Sequence, residues 1–355
     1  MPTGVAAKRV LLLGAILLAA LFIAGLITGA IGAAFYKSED ESKGGVEGIL
    51  PKPEVHLAAQ TVFPGGDRDR YLEFLHAEKK EREHGKSSLS VEEHDLVDEG
   101  PLPGFNFVVT NTLISAWIAS ILILLIFVLG ARKARLVPGL FQNICEVTVE
   151  GLLNFVEGVV GKGRARLVFP VIATIFLFVA FNAWIGLLPV YPSIGWIKDD
   201  SLSIHLLRPA GTDLNMPLAL AIVSFVFVEF LGFRILGFRY VSKFVRLGSL
   251  KYGLVSLVRM RPMEAFQGLL DFFFVGPLEA FSELVRLISF TFRLFGNMTA
   301  GEILVLVSAF LVPFLATIGV YGLELLVGFV QALIFAGLTL VFAAIAMTPH
   351  EGEEH

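Results

Sequence analysis

Residues 264–348 read EAFQGLLDFFFVGPLEAFSELVRLISFTFRLFGNMTAGEILVLVSAFLVPFLATIGVYGLELLVGFVQALIFAGLTLVFAAIAMT. Two apolar runs, 264–311 and 314–348, meet around Pro313. At about 1.5 Å of rise per residue, each exceeds what a hydrocarbon core of roughly 30 Å needs. Both must therefore tilt or kink if they cross it. The runs carry Asp271, Glu279, Glu283, Arg286, Arg293, Glu302 and Glu324. Each intramembrane charge costs about 2.5 kcal/mol or more, so function or pairing must account for them. At about 100° per residue, Glu279, Ser282, Arg286, Ser289, Arg293 and Asn297 share one helix stripe. Glu324 and Gln331 share a face on the second run. A turn near 312 and 313 puts Arg293 level with Gln331, and Glu302 level with Glu324.

Helix-gluing salt bridges would put a carboxylate level with Arg293. Its level partner is an amide, and the nearest carboxylates lie about 13 to 21 Å away along the axis. The counter-charge of Arg293 is therefore expected from another chain. A guanidinium cannot pass on a proton, so the polar groups on either side of it form two separate half-paths. Glu302 and Glu324, at one level, would share an exchangeable proton.

The rest of the chain supports a bilayer setting. Of 355 residues, 55% are hydrophobic and 17% charged, with a mean hydropathy of +0.75, outside the range of soluble domains. Segments 10–35, 107–130, 167–197, 214–233, 303–323 and 325–348 are long enough to span, and only Glu229 charges any of them. None alternates as a barrel strand would. The fold class expected is all-α: a polytopic membrane bundle with an interfacial helix and a long, strongly tilted hairpin. Cys145 stands alone, excluding an internal disulfide, and no Cys and His spacing suits zinc. His76, His84 and His94 lie in a charged tract and read as solvated. Gly161-Lys162 lacks the upstream glycine of a phosphate loop, so no nucleotide site is expected. Nothing points to a cofactor, a metal or nucleic acid.

Charge distribution sets the expected topology and three segments, 1–36, 37–105 and 106–355. The apolar run 10–35 follows Lys8 and Arg9 and is either a retained helix or a cleaved signal. Residues 37–105 are polar and acidic, and read as solvated, partly disordered and extracytoplasmic. Residues 107–130 cross inward, because Arg132, Lys133 and Arg135 follow. Residues 137–160 mix apolar positions at helical spacing with Glu146, Glu150 and Glu157, as an interfacial helix does. Residues 167–192 cross outward to a loop bearing Asp199, Asp200, His205 and Asp213, and 214–233 return. Seven basic residues and no acidic one lie between Phe230 and Met263, marking a cytoplasmic loop. Glu302 and Glu324 then lie outward of Arg293, with Glu279, Ser282 and Ser289 inward, and the C-terminus is cytoplasmic.

The decapeptide from Arg293 to Glu302, RLFGNMTAGE, resembles the signature of subunit a of the F-type ATP synthases. So do Val137-Pro-Gly-Leu-Phe-Gln142, Asn182, Asp213-Leu-Asn215, Gln331-Ala-Leu-Ile-Phe335 and the acidic end with His355, in the family's order. The resemblance covers about residues 105 to 355. It implies a proton-translocating stator subunit that is not itself the ATP-forming catalyst, in a bacterial-type inner membrane. Arg293 would be the essential arginine facing the rotor ring of subunit c. Asn297, Glu302, Glu324, Gln331, Asp213 and Asn215 would line the inlet, and Glu279, Ser282 and Ser289 the exit. The implied partners are the subunit c ring, the peripheral-stalk subunit b and the lipid bilayer. A sodium-coupled version of the subunit, or an unrelated channel or transporter, remains the alternative.

Overall fold

The computed structural model describes residues 4–28, 59–84, 90–100, 108–132, 138–188, 194–198, 201–237, 240, 247–259 and 261–348. Lys133, Arg135, Asp199, Asp200, Arg239, Lys243, Arg246 and the acidic tail lie outside these residues. The described chain is overwhelmingly helical. In order it runs α1 (Gly4–Thr28), β1 (Thr61–Phe63), α2 (Gly65–His84), α3 (Val91–Glu99), β2 (Val109–Thr110), α4 (Asn111–Ala131), α5 (Leu140–Val160) and α6 (Lys162–Gly186). Then follow β3 (Gly195–Lys198), β4 (Ser201–His205), a short turn of 3-10 helix (Ala210–Thr212), α7 (Asn215–Leu236), α8 (Leu247–Val258) and α9 (Pro262–Leu270). A π-helical segment (Asp271–Val275), α10 (Gly276–Leu311) and α11 (Leu315–Ala346) complete it.

Among the described residues, five helical stretches are long and apolar enough to cross a membrane: α4, α6, α7, the continuous stretch Pro262–Leu311, and α11. The protein is a multi-pass membrane protein of the all-α class. The hairpin turn falls where the sequence places it: α10 ends at Leu311, α11 starts at Leu315, and Phe314 takes a left-handed φ of 69°. With 36 and 32 residues, α10 and α11 are about 54 Å and 48 Å long, well beyond a perpendicular crossing. The stretch whose sequence reads as an interfacial helix forms α5. It buries Cys145, Leu152 and Val156 while leaving Leu140, Phe141, Ile144 and Val147 exposed.

The chain forms two compact units. The first comprises Met1–Ser115, Ala183–Thr212 and Gly296–Val330. Here β1 pairs antiparallel with β2, Thr61 opposite Thr110, and β3 with β4 as a second ribbon. Tyr71, Leu72 and Leu75 of α2 form a small apolar cluster. Ser90 and Glu93 form a reciprocal capping box that starts α3, and Lys80 reaches Glu93 at 2.8 Å to tie α3 to α2. The described parts of 59–100 are thus folded, where composition suggested a partly disordered tract. Local capping and cross-helix pairing stabilise helices that the charge content alone argues against. Gly25 of α1 meets the backbone of Pro313 at the hairpin turn. Gly328 of α11 meets Ala183 of α6, where an added Cβ would lie 2.6 Å from that of the alanine.

The second unit comprises Ala116–Asn182, Asp213–Phe295 and Gln331–His355. Cys145 of α5 packs on Gly130 of α4, and Ser224 of α7 lies 2.8 Å from Thr339 of α11, hydroxyl to hydroxyl. Helices α8 and α9 meet glycine to glycine. A Cβ on Gly268 would lie 2.6 Å from the backbone N of Gly253 and the carbonyl of Ser249. Phe290 of α10 and Phe335 of α11 pack with ring centroids 4.9 Å apart.

Candidate functional site

Helix α10 carries the polar stripe expected of it, and the structure separates its members. Ser282, Ser289, Arg293 and Asn297 are exposed, with Gly296 and Ala300 on the same side. Leu294 and Phe290 point the other way and are buried. Among the described residues Arg293 makes no ion pair.

Arg286 behaves differently. It pairs with Glu283, and its guanidinium carbon sits 3.5 Å from the centre of the Phe342 ring. A cation on an aromatic face with a carboxylate at its edge is compensated within its own unit. Glu283 is only 3% exposed. The Glu283–Arg286 spacing is a readable i,i+3 pairing signal, but the stripe reading took in Arg286 and left Glu283 out. Arg293 therefore stands apart from the other intramembrane arginine.

The register within each unit agrees with the turn. Phe290 against Phe335 puts Arg293 close to the level of Gln331, which is 2% exposed. In the first unit, Gly301 of α10 lies against the Glu324 carboxyl, with an added Cβ falling 2.6 Å from its Cδ. Glu302 and Glu324 are thus at one level.

Glu302 also has a partner that the sequence reading did not assign. Arg208 Nη2 donates to Oε2 at 2.7 Å, and Nε lies 3.2 Å from both carboxylate oxygens. Arg208 is 6% exposed. Burial pushes the nearby Tyr71 phenol above its usual value, while the Arg208 charge pulls it down. The available signal for Arg208 was weak: a basic residue in a loop assigned to the outside, where basic residues are not favoured.

Among the remaining expected residues, Asp213 accepts a hydrogen bond from the backbone N–H of Asn215 at 3.1 Å and so helps to open α7. Asn215 is exposed and Glu279 half-buried. Asp213, Asn215, Gln331, Arg293, Glu279, Ser282 and Ser289 belong to the second unit, and Asn297, Glu302 and Glu324 to the first. Also in the second unit, Tyr240 is buried edge-on to Phe233 at 5.1 Å and covers Gly232. Burial first, and then the Glu229 carboxylate, push its phenol upward. No group of three or more metal-ligating side chains occurs among the described residues.

An all-α chain with five helical stretches among its described residues long and apolar enough to cross a membrane falls in the class of multi-pass membrane proteins. Comparison with known proteins is more specific. Residues 113–344 match the family model described as ATP synthase A chain. ATP synthase subunit a of Desulfosudis oleivorans is 33% identical over 237 residues, 66% of this chain and 87% of that protein. The subunit a of Gloeobacter violaceus is 30% identical over 265 residues, 75% of this chain and 93% of that one. That of Helicobacter acinonychis is 29% identical over 238 residues, 66% and 88% respectively. The chain belongs to the ATP synthase A chain family.

Proposed function

We propose that the protein is the proton-translocating stator subunit of an F-type ATP synthase, and that Arg293 meets the carboxylates of a rotating subunit c ring. Family membership supports the role. The observation that carries the mechanism is Arg293 itself: exposed on α10, flanked by Ser289, Gly296, Asn297 and Ala300, and without an ion pair among the described residues. A guanidinium stays protonated, so it blocks a direct proton wire. A carboxylate brought beside it is favoured in its ionised form, which releases the proton. Glu302, Glu324, Asn297, Gln331, Asp213 and Asn215 form the inlet side of this scheme, and Glu279, Ser282 and Ser289 the exit side. The ring carboxylate carries the proton between the two. Subunit b of the peripheral stalk holds the chain against rotation, residues 37–105 face the extracytoplasmic side of a bacterial-type inner membrane, and the C-terminus is cytoplasmic.

Arg293→Ala, incorporated at normal levels in the complete complex, should abolish proton-driven ATP synthesis in inverted vesicles. Fully coupled synthesis in that variant would overturn the scheme.

A further inference from the structure

We infer that Arg208 is a positioning residue of the proton inlet, and that the folded extracytoplasmic segment starting at Gln60 anchors it. The inference rests on the inlet assignment of Glu302 above.

A glutamate on a helix face has three side-chain torsions and no fixed carboxylate position of its own. Arg208 removes that freedom. Its guanidinium spans both oxygens of Glu302, at 2.7 Å from Nη2 and 3.2 Å from Nε, a fork geometry that fixes direction as well as distance. The same loop touches α10 one turn earlier, since Gly211 rests on Met298, with an added Cβ falling 2.7 Å from its Cγ. Met298 and Glu302 are four residues apart and share a helix face. Pro209, next to Arg208, closes against Gly186 at the end of α6.

The arginine is held in turn from outside the bilayer. Its backbone N–H donates to Ser115 Oγ at 3.1 Å, and that hydroxyl donates to the Asn111 carbonyl at 3.0 Å in the first turn of α4. The Asn111 amide donates to the His205 carbonyl at 3.2 Å, and its Oδ1 accepts from the Gln60 N–H at 3.2 Å. Gln60 Oε1 accepts from the His205 N–H at 3.0 Å. Gln60, Asn111 and Ser115 are each at most 2% exposed. Both backbone groups of His205, three residues before Arg208, are therefore bound to the ends of the β1–β2 ribbon. Gln60 and the helix pair behind it precede residue 113, where the family match begins. Glu302, Arg208 and Ser115 lie within the matched region, and Gln60 and Asn111 before it.

The charged and titratable groups around Glu302 are Arg208, Glu324 against Gly301, and Tyr71 beside Arg208, with Glu78 acting on Tyr71. Arg208 holds both oxygens of the Glu302 carboxylate, and it acts through the carboxylate it holds.

The test is a double-variant cycle on proton-driven ATP synthesis in vesicles bearing the complete complex, with subunit levels matched by immunoblot. Glu302→Gln, which removes the titrating group, and Arg208→Gln, which lets it move, should each lower the rate about tenfold or more, within the roughly 100-fold that a 1 Å misplacement of a reacting group can cost. The combined variant should be no slower than Glu302→Gln alone. Arg208→Lys, which keeps the charge but loses the fork, should assemble normally and recover part of the rate. Gln60→Ala should slow synthesis when Glu302 is present and have no effect when it is Gln. Multiplying losses in the combined variant, or a Gln60→Ala effect that persists in the Glu302→Gln background, would overturn the inference and leave the inlet assignment standing. A full rate in Glu302→Gln alone would overturn the inlet assignment and the inference with it.

Discussion

Gly301 lies against the carboxyl of Glu324, and substituting it by alanine moves one functional group with little disturbance elsewhere. An alanine Cβ would fall 2.6 Å from Glu324 Cδ, whereas non-bonded carbons settle at roughly 3.5 to 4.0 Å. The carboxyl must therefore retreat by about 1 Å. It is the free end of a flexible side chain, so an off-rotamer adjustment costs about 0.5 to 1.5 kcal/mol. Replacing a helical glycine by alanine returns about 0.5 to 1 kcal/mol. Folding and assembly should be close to unchanged. Proton delivery should suffer more, because a 1 Å misplacement of a reacting group can cost about 100-fold. Gly301→Ala complexes in vesicles should make ATP one to two orders of magnitude more slowly, with normal subunit levels and thermal stability. Adding Glu324→Asp shortens the side chain by one carbon–carbon bond, about 1.5 Å, and should recover part of the loss. A native rate in Gly301→Ala, or no recovery on shortening Glu324, would refute the reasoning.

The α8–α9 contact gives the opposite case. A Cβ on Gly268 meets backbone of Gly253 and Ser249 at 2.6 Å, which cannot swing aside. Gly268→Ala should therefore destabilise by about 1 to 3 kcal/mol, read as a lower melting temperature of the purified complex or reduced subunit level. Outside the membrane, the hydrogen bonds from Lys80 and then the Ser90 backbone hold the Glu93 carboxyl down to about 2, from an ordinary value of 4.5. A depressed carboxylate contributes stability that is present above pH 4.5 and is lost as the pH falls toward 2. Hydrogen-exchange protection of residues 91–99 should decline across that window, and Glu93→Gln should remove the decline.

The hairpin was the most legible part of the fold. Lipid allows few alternatives to helix, so the length of the apolar runs and Pro313 were enough to place the turn that Phe314 makes. The levels of Glu302, Glu324, Arg293 and Gln331 followed from counting along a regular helix. Arg208 was missed because its contact with Glu302 spans ninety-four positions of chain, and no periodicity reports such a pairing. The helices within 59–100 were missed differently. Ser90-x-x-Glu93 is a readable capping signature, but the tract was judged on composition, which says nothing about caps. Arg286 was grouped with Arg293 because a helical projection gives angle and not contact. Its seat on Phe342 depends on the facing helix.

The π-helical segment Asp271–Val275 interrupts an otherwise continuous stretch from Pro262 to Leu311. A wide turn of this kind accommodates about one residue more than α-helix would. Everything beyond it is therefore rotated by about 100° relative to an unbroken helix. The azimuth at which Gly268 meets α8 and the azimuth at which Arg293 leaves α10 are consequently out of phase by design of the joint, and are set independently. Removing one residue from 271–275 would take out that surplus and keep the two bearings, whereas tightening the turn to α-helix at unchanged chain length would re-index the two against each other. The close-packed glycine contact would then stay in place while the arginine swung a quarter-turn or more off its bearing.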